Sequence, residues 1–467
     1  MERRLLWVLC VHLCLMPWAF GTMNSGSQIV SLGLSIAGLW LALAPREIRM
    51  ADGGRTARGS LWPRLVRFPL FWLGIVFLFY VFLQGMNPSW KFEGDPARWW
   101  LRRVPHITWL PTGIDAPFFR FDVWRQLIIY ADVWLLVCTV WVGLTRRRSL
   151  RILLAVITAN GIGISAFLAW EQLGHAVELP QFAALPGYSE LVATFPYKNI
   201  AGAYFSLVAF SAIALATWYV DYGQRRLLKS TPSGVWGVAA VILTVALFFT
   251  LSRGAVLALG SSLVCYGLWL ALRRLRRPAA PDSNPALTTT VGIVFLIFAA
   301  LLIHFLDFSE ITDRFNALAT EQSSEFSVAT RLQARSAALD MLRDVRLRGI
   351  GAGSFRYLFP EYVKHYPEIY LDGKWLWEHA HCDWLEIFIE QGLAGSLLLL
   401  AGAGWGVAWF ARRKFLWHPL GVPLLLGCLA TFLQAGFDYP FQCPAVLATW
   451  AVFIALAGRW MDLETTS

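Results

Sequence analysis

Three residues far apart in the chain have side chains suited to handling an anion and a proton: Arg253, Arg331 and His381. A guanidinium presents a planar fork of donors that fits phosphate oxygens, and imidazole is the side chain whose unperturbed pKa lies near neutral pH. Arg253 sits in LSRGA, between two apolar stretches, and Ser252 beside it can cap the following helix. Backbone N–H groups, the positive helix end and the guanidinium would then meet at one anion. The plainer alternative is an interfacial arginine whose head reaches water. Arg331 and Arg335 lie one turn apart, where they either clamp an oxyanion bidentately or form a solvated face paired with acids such as Glu325. His381 lies in HAHCDWLEIFIEQGLAG; Asp383 and Glu378 are near enough to tune it, and His379 competes for the same role. Lys198 and Asn199 open a further apolar stretch, Asp132 lies inside another, and Asp438 occupies a short FDYP segment. An ionisable group inside a span is functional by default. For Asp132 the structural alternative is pairing with Arg125, and for Asp438 a role in the turn.

The elements that must position these residues are membrane helices. Of 467 residues, 57% are apolar and 15% charged, and the mean hydropathy is +0.53, a profile foreign to soluble domains of this length. A hydrocarbon core about 30 Å thick needs about 20 apolar residues per helix. Candidate spans fall at about 5–21, 27–45, 69–86, 124–144, 152–172, 199–220, 234–251, 254–272, 288–306, 385–411, 419–435 and 445–460. The expected fold is therefore an all-α integral membrane protein of about twelve transmembrane helices. The first span also fits a cleaved signal peptide, with Arg3 and Arg4 before it and small residues near Gly21.

Lys and Arg mark the cytoplasmic loops. Arg3 and Arg4, Arg46 to Arg67, Arg146 to Arg148, Arg225 and Arg226, Arg273 to Arg277, and Arg412 to Lys414 fall in alternate connections, which places both termini in the cytoplasm. The net charge of +10 is largely theirs, so it reports topology and anionic lipid headgroups, not nucleic acid. Seven cysteines, five of them in apolar spans, form no disulfide framework and no zinc spacing. Only Cys382 and Cys443 lie where an oxidising compartment could pair them, and two free thiols is the simpler expectation.

Three loops on the opposite side are long, at about 87–123, 173–198 and 307–384. The first is rich in Trp and Arg and reads either as an aromatic belt or as a lip that stacks sugars and holds phosphate. The third predicts an amphipathic helix from about Glu325 to Val345, with Val328, Leu332, Leu339, Leu342 and Val345 on one face. It then must turn at Gly349, Gly351 and Gly353.

Taken together, FPYKNIAGAYFSL, LSRGA, ATRLQARSAALDMLRD with GIGAGSF, HAHCDWLEIFIEQGLAG and FDYPFQCPA resemble the O-antigen ligase family, which includes O-antigen polymerases and bacterial protein O-oligosaccharyltransferases. The resemblance runs from Ala193 to Ala445, with residues 1–192 as an N-terminal membrane bundle and 446–467 as a last helix and tail. It implies a large, partly helical periplasmic loop and a glycosyltransferase fold of the C superfamily. It further implies transfer of a glycan from undecaprenyl diphosphate to an acceptor hydroxyl (lipid A core, growing glycan or protein) at the periplasmic face of the inner membrane, with no metal and no cofactor. In that setting Arg253 and Arg331 would hold the diphosphate and His381 would be the base, with Lys198, Asn199, Ser252, Arg335, His379 and Asp383 binding substrate. The family commonly has Trp at the place of Arg335 and Asn at that of Cys382. A transporter or flippase would instead show repeated halves and polar sites near the midplane, and no such repeat is visible. The loop parity yields a test: alkaline phosphatase fused within residues 307–384 should be active, and a silent phosphatase beside an active cytoplasmic reporter at the same site would reject the topology.

Overall fold

The structure, a computed structural model, describes residues 1–49, 56–94, 98–173, 191–276, 328–370, 377–413 and 415–465. The bundle is made of α1 (Glu2–Trp18), α2 (Ser25–Leu43), α4 (Pro69–Met86), α5 (Val123–Gly143), α6 (Arg147–Gln172), α7 (Lys198–Arg226), α8 (Ser233–Phe249), α9 (Arg253–Arg276), α13 (Asp383–Arg412), α14 (Gly421–Gln434) and α15 (Pro444–Thr465), with α3 (Trp62–Val66) a short connector. Eight of these are long and apolar enough to cross a membrane, while α1, α8 and α14 are shorter. Eleven expected spans thus coincide with helices; the one at about 288–306 lies outside the described residues, as do Glu325 and much of the loops at 173–198 and 307–384. The chain is a multi-pass membrane protein.

At the centre stands α7, whose apolar stretch is wholly buried. Small residues let its neighbours come close, as helices do where lipid offers no hydrophobic drive. A Cβ on Gly202 would lie 2.6 Å from the Cβ of Ala255 in α9, and one on Gly427 of α14 would lie 2.5 Å from Phe210. Side chains α1 contributes to the same core include Leu5, Leu9 and Leu13.

Contacts sort the helix ends into two faces. At the face of the basic loops the Glu2 carboxylate accepts from Thr145 Oγ1 (2.5 Å) and Ser149 Oγ (2.6 Å), and Arg147 pairs with Glu464 at 3.8 Å. Opposite it, Cys443 Sγ meets the carbonyl of Gly21 at 3.2 Å. All seven cysteines are free.

The fold is predominantly helical, as expected, with a few strands outside the bundle. The hairpin β1 (Arg46–Arg49) and β2 (Thr56–Gly59) lies in a basic loop, and β3 (Pro88–Gly94), β4 (Trp99–Arg103) and β5 (Gly113–Asp115) form a sheet in the order β4-β3-β5. Strand β3 runs antiparallel to β4 and parallel to β5. Alternation places Trp90, Phe92, Trp99 and Arg103 on one side of it, where Phe92 stacks on Trp99 (5.4 Å) and both meet Tyr357 edge-on. These aromatics hold the sheet to a helical cap made of α10 (Val328–Val345), α11 (Phe355–Val363) and α12 (Pro367–Tyr370), which has its own apolar cluster. Helix α10 buries Ala334, Ala337, Ala338 and Met341, whereas Leu332 and Leu339 of the expected apolar face are exposed. The face of small residues wins because it allows the close packing on α13.

Cap and bundle are joined through a break in α13. At Gly392 the backbone has φ 62° and ψ −169°, a region open essentially to glycine alone. Leu393 N–H, released from the helix, donates to the carbonyl of Arg346 (2.9 Å), and the freed carbonyls of Ile389 and Glu390 accept from Ile350 N–H (3.2 Å) and Gly351 N–H (3.0 Å). Gly349, Gly351 and Gly353 all have positive φ, as their spacing predicted. Gln84 of α4 clamps the exchange, donating to the Glu390 carbonyl and accepting from Ala352 N–H, each at 3.2 Å. A Cβ on Gly392 would sit 2.4 Å from Gly349 N. Gly392→Ala should therefore lower stability by about 2–5 kcal/mol. Gly404→Ala, on the same helix with open space around it, should change it by less than about 1 kcal/mol. Thermal unfolding in detergent measures both; equal behaviour would show the break to be dispensable.

Candidate active site

The turn joining α14 to α15, residues 435–443, gathers the ends of four helices. Asp383, the first residue of α13, donates its N–H to the carbonyls of Ala435 (2.9 Å) and Asp438 (3.1 Å). Its carboxylate accepts from Phe441 N–H (2.9 Å) and Gln442 Nε2 (3.3 Å). Gln434 Nε2 donates to the carbonyl of Asn199, at the start of α7, at 2.9 Å. Gly254, second in α9, faces Phe437 so closely that a Cβ would lie 2.6 Å from its ring. Helices α7, α9, α13 and α15 all begin here, so the partial positive charges of their unpaired N–H groups accumulate at this turn.

On the turn, the Tyr439 ring stacks on Tyr197 (5.6 Å, 4°) and on His379 (4.7 Å, 27°), and His381 stands edge-on to it at 5.0 Å. His381 also meets Trp377 edge-on at 5.6 Å, and its own backbone is left-handed, with φ 48°. Arg331 reaches in from α10 and donates from Nη2 to the Tyr197 hydroxyl at 3.4 Å. Burial, aided by the Arg331 guanidinium and by His379, pushes the His381 pKa down to about 3, so its ring is neutral at physiological pH. His381 Nδ1 and Arg331 Nε are both buried without a hydrogen-bond partner among the described residues.

His379 is committed differently. Its Nε2 faces Arg356 Nη2 at 3.4 Å and its Nδ1 lies 2.8 Å from Glu386 Oε1. Because arginine only donates, Nε2 must accept and Nδ1 must carry the hydrogen given to Glu386. Burial and then Arg356 push its pKa down to about 3. Asp438 is pushed up to about 6 by burial, against the opposing pull of Tyr439 N–H, Arg331, Asn199 and Gln434.

Of the residues singled out in the sequence, Arg331, His381, His379, Asn199 and Asp383 come together here. Asn199 donates from Nδ2 to the Tyr197 hydroxyl at 3.2 Å, and Asp383 serves the turn. Ser252 caps α9 as anticipated, its Oγ accepting from Ala255 N–H at 3.3 Å, and Arg253 beside it is exposed at the rim. Lys198 is half-buried as the first residue of α7, and Arg335 lies on the exposed side of α10. Asp132 is held by Ser31, Ser35 and His12, whereas the Arg125 guanidinium reaches Gln28 and the carbonyl of Phe119. Sequence reasoning missed Tyr197, Tyr439, Arg356 and Glu386. Both tyrosines stood in motifs already noted, FPYKNIAGAYFSL and FDYPFQCPA, at helix mouths where a ring has no span to fill.

A half-buried arginine and a neutral histidine lie over a turn that collects helix N-termini in a multi-pass bundle, an arrangement suited to receiving an anionic group. Residues 238–400, roughly a third of the chain, match the model of a family described as O-antigen ligase. Over those residues the chain is similar to the O-antigen ligase family, a likeness that points to a glycosyl-transferring membrane enzyme. No curated protein matches the chain.

Asp383→Ala should strand Phe441 N–H and Gln442 Nε2 and destabilise the fold by about 2–4 kcal/mol. Arg335→Ala, exposed, should cost less than about 0.5 kcal/mol. A thermally unaltered Asp383→Ala would free that carboxylate for a substrate role.

Proposed function

We propose that this site transfers a glycan from a polyprenyl-diphosphate-linked donor, undecaprenyl diphosphate in the family resemblance, to an acceptor hydroxyl at the periplasmic face of the inner membrane. The observation that supports this reading most is the pair of unpartnered buried atoms, Arg331 Nε and His381 Nδ1, on residues that contact the stacked rings of Tyr197 and Tyr439. Buried polar atoms are usually satisfied, so two left open in one site are available to a ligand. The acceptor oxygen attacks the anomeric carbon while the His381 lone pair takes its proton; the bond from that carbon to the phosphate oxygen breaks, and the diphosphate leaves on Arg331. Arg253 at the rim and the N-terminal ends of α7 and α9 add positive potential for the second phosphate. Arginines supply the counter-charge in this scheme, so transfer should persist in excess EDTA. An acceptor on lipid A core makes the enzyme a ligase, a growing chain makes it a polymerase, and a protein hydroxyl makes it an oligosaccharyltransferase.

His381→Ala should lower turnover by about 10²–10⁴ with donor binding retained. Arg331→Lys keeps the charge but loses the fork, and should cost about 10²–10³. Turnover near wild type in His381→Ala would remove the base assignment. The acid limb of the rate profile gives a further check. The base works when neutral, and the folded-state pKa of His381 is held low, so activity is lost only as pH falls well below the ordinary imidazole value. Removing the guanidinium in Arg331→Gln lets both His381 and Asp438 protonate more readily. The acid limb of its residual activity should therefore move to higher pH; an unmoved limb would separate Arg331 from the titrating groups.

A further inference from the structure

Outside the O-antigen ligase domain, three apolar helices bury a second polar cluster that the transfer reaction does not use. Asp132 of α5 accepts from Ser31 Oγ at Oδ2 (2.7 Å) and from Ser35 Oγ at Oδ1 (2.5 Å), both of α2. His12 of α1 places Nε2 2.6 Å from Ser31 Oγ and 3.8 Å from Asp132 Oδ1. His12, Ser31, Ser35 and Asp132 are each at most 4% exposed. A serine has one hydrogen; since Ser31 gives it to Asp132, His12 Nε2 must supply the hydrogen between ring and hydroxyl. The remaining ring atom, His12 Nδ1, is buried with no partner among the described residues.

We propose that His12 and Asp132, bridged by Ser31, are a proton-binding site inside the membrane bundle and that the folded protein holds one proton there at neutral pH. Without it, a neutral ring would leave Asp132 as an ionised carboxylate within the spans, held by two neutral hydroxyls, which is costly unless a cation compensates. The cation on the same helix is Arg125, two turns and about 10 Å away along the axis. The Arg125 guanidinium donates to Gln28 and to the carbonyls of Phe119 and Met23, and the charge of Asp122, whose carboxylate caps the helix by accepting the Arg125 backbone N–H at 2.8 Å, already answers it. The other titratable groups nearby are neutral at this pH: Cys10 and Cys14 of α1, Tyr130 and Cys138 of α5, and Tyr80 of α4. Helix α2 has none, and those of α6 (Arg147, Arg148, Arg151, Glu171) and α15 (Arg459, Asp462, Glu464) stand near the helix ends. The added proton binds at His12 Nδ1, giving imidazolium facing carboxylate. Ser31 then relays within the pair: the Nε2–H proton passes to Ser31 Oγ while the Ser31 proton passes to Asp132 Oδ2, which leaves a neutral ring and a carboxylic acid. Both forms are net neutral and both carry hydrogen at Nδ1. Occupancy of the site sets the charge at the junction of α1, α2 and α5.

Magic-angle NMR on the intact protein in bilayers, with nitrogen-15 in histidine and carbon-13 in aspartate, reads the site in wild type. The expected result at pH 7 is either an imidazolium His12 or a neutral His12 with a protonated Asp132. A neutral ring beside an ionised Asp132 at pH 7 would overturn the proposal and leave the cluster as helix-to-helix glue. His12→Gln and Asp132→Asn assign the signals. Should these fail to fold, Ser35→Ala, which removes one donor to Asp132 and leaves the bridge intact, shifts the Asp132 carboxyl signal and identifies it.

Discussion

Backbone amides in a bilayer must find partners within the protein, and a break in a spanning helix is tolerable only where other groups take over its bonds. In this chain the whole positioning of the candidate site follows from one such exchange. Gly392 interrupts α13, and the turn at Gly349 and Gly351 fills the gap with its own N–H groups. The cap is thereby fixed by backbone hydrogen bonds, the least adaptable kind, to the helix whose first residues include the site. Arg331 rides on the cap, and His379, His381 and Asp383 lead into α13, so the break sets the distance between arginine and histidine.

A second constraint is the crowding of helix starts around residues 435–443. Four positive helix ends, the Arg331 guanidinium and a histidine kept neutral by burial create a region that favours an incoming anion and an unprotonated base together. These two requirements usually conflict, since a cation that holds an anion also tends to be matched by a carboxylate. Here Asp383 is occupied by Phe441 and Gln442 and Glu386 by His379 and Ala380, while Asp438, the carboxylate that feels Arg331, also accepts from Tyr439 N–H. What remains open is the base and the fork.

Much of this was legible in the sequence. Hydropathy located the helices, the loop glycines foretold the turn, and the histidine and arginine motifs named residues that the fold brings together in the candidate site. The break at Gly392 was not legible, because a single glycine in an apolar run ordinarily reads as a tolerated helix residue. The apolar face of α10 was misread: leucines dominate a periodicity count, yet Ala334, Ala337 and Ala338 are what permit contact with α13. The sheet escaped notice because its Trp and Arg pattern equally suits an interfacial loop. Arg356 carried no signal, as its role arises from His379, 23 residues away, while Glu386 stood unremarked inside the HAHCDWLEIFIEQGLAG motif.

The clamp around the broken helix also bears on biogenesis. It unites Gln84 with Gly351 and Glu390, and Gln84 leaves the ribosome hundreds of residues before the other two. Gln84 therefore waits in an unfinished bundle, its amide without the carbonyl it later binds, until almost the entire chain has been inserted. The clamp can close only once α13 has left the ribosome. A polypeptide arrested before α13 would hold most of its spans and still lack the geometry that brings Arg331 to His381.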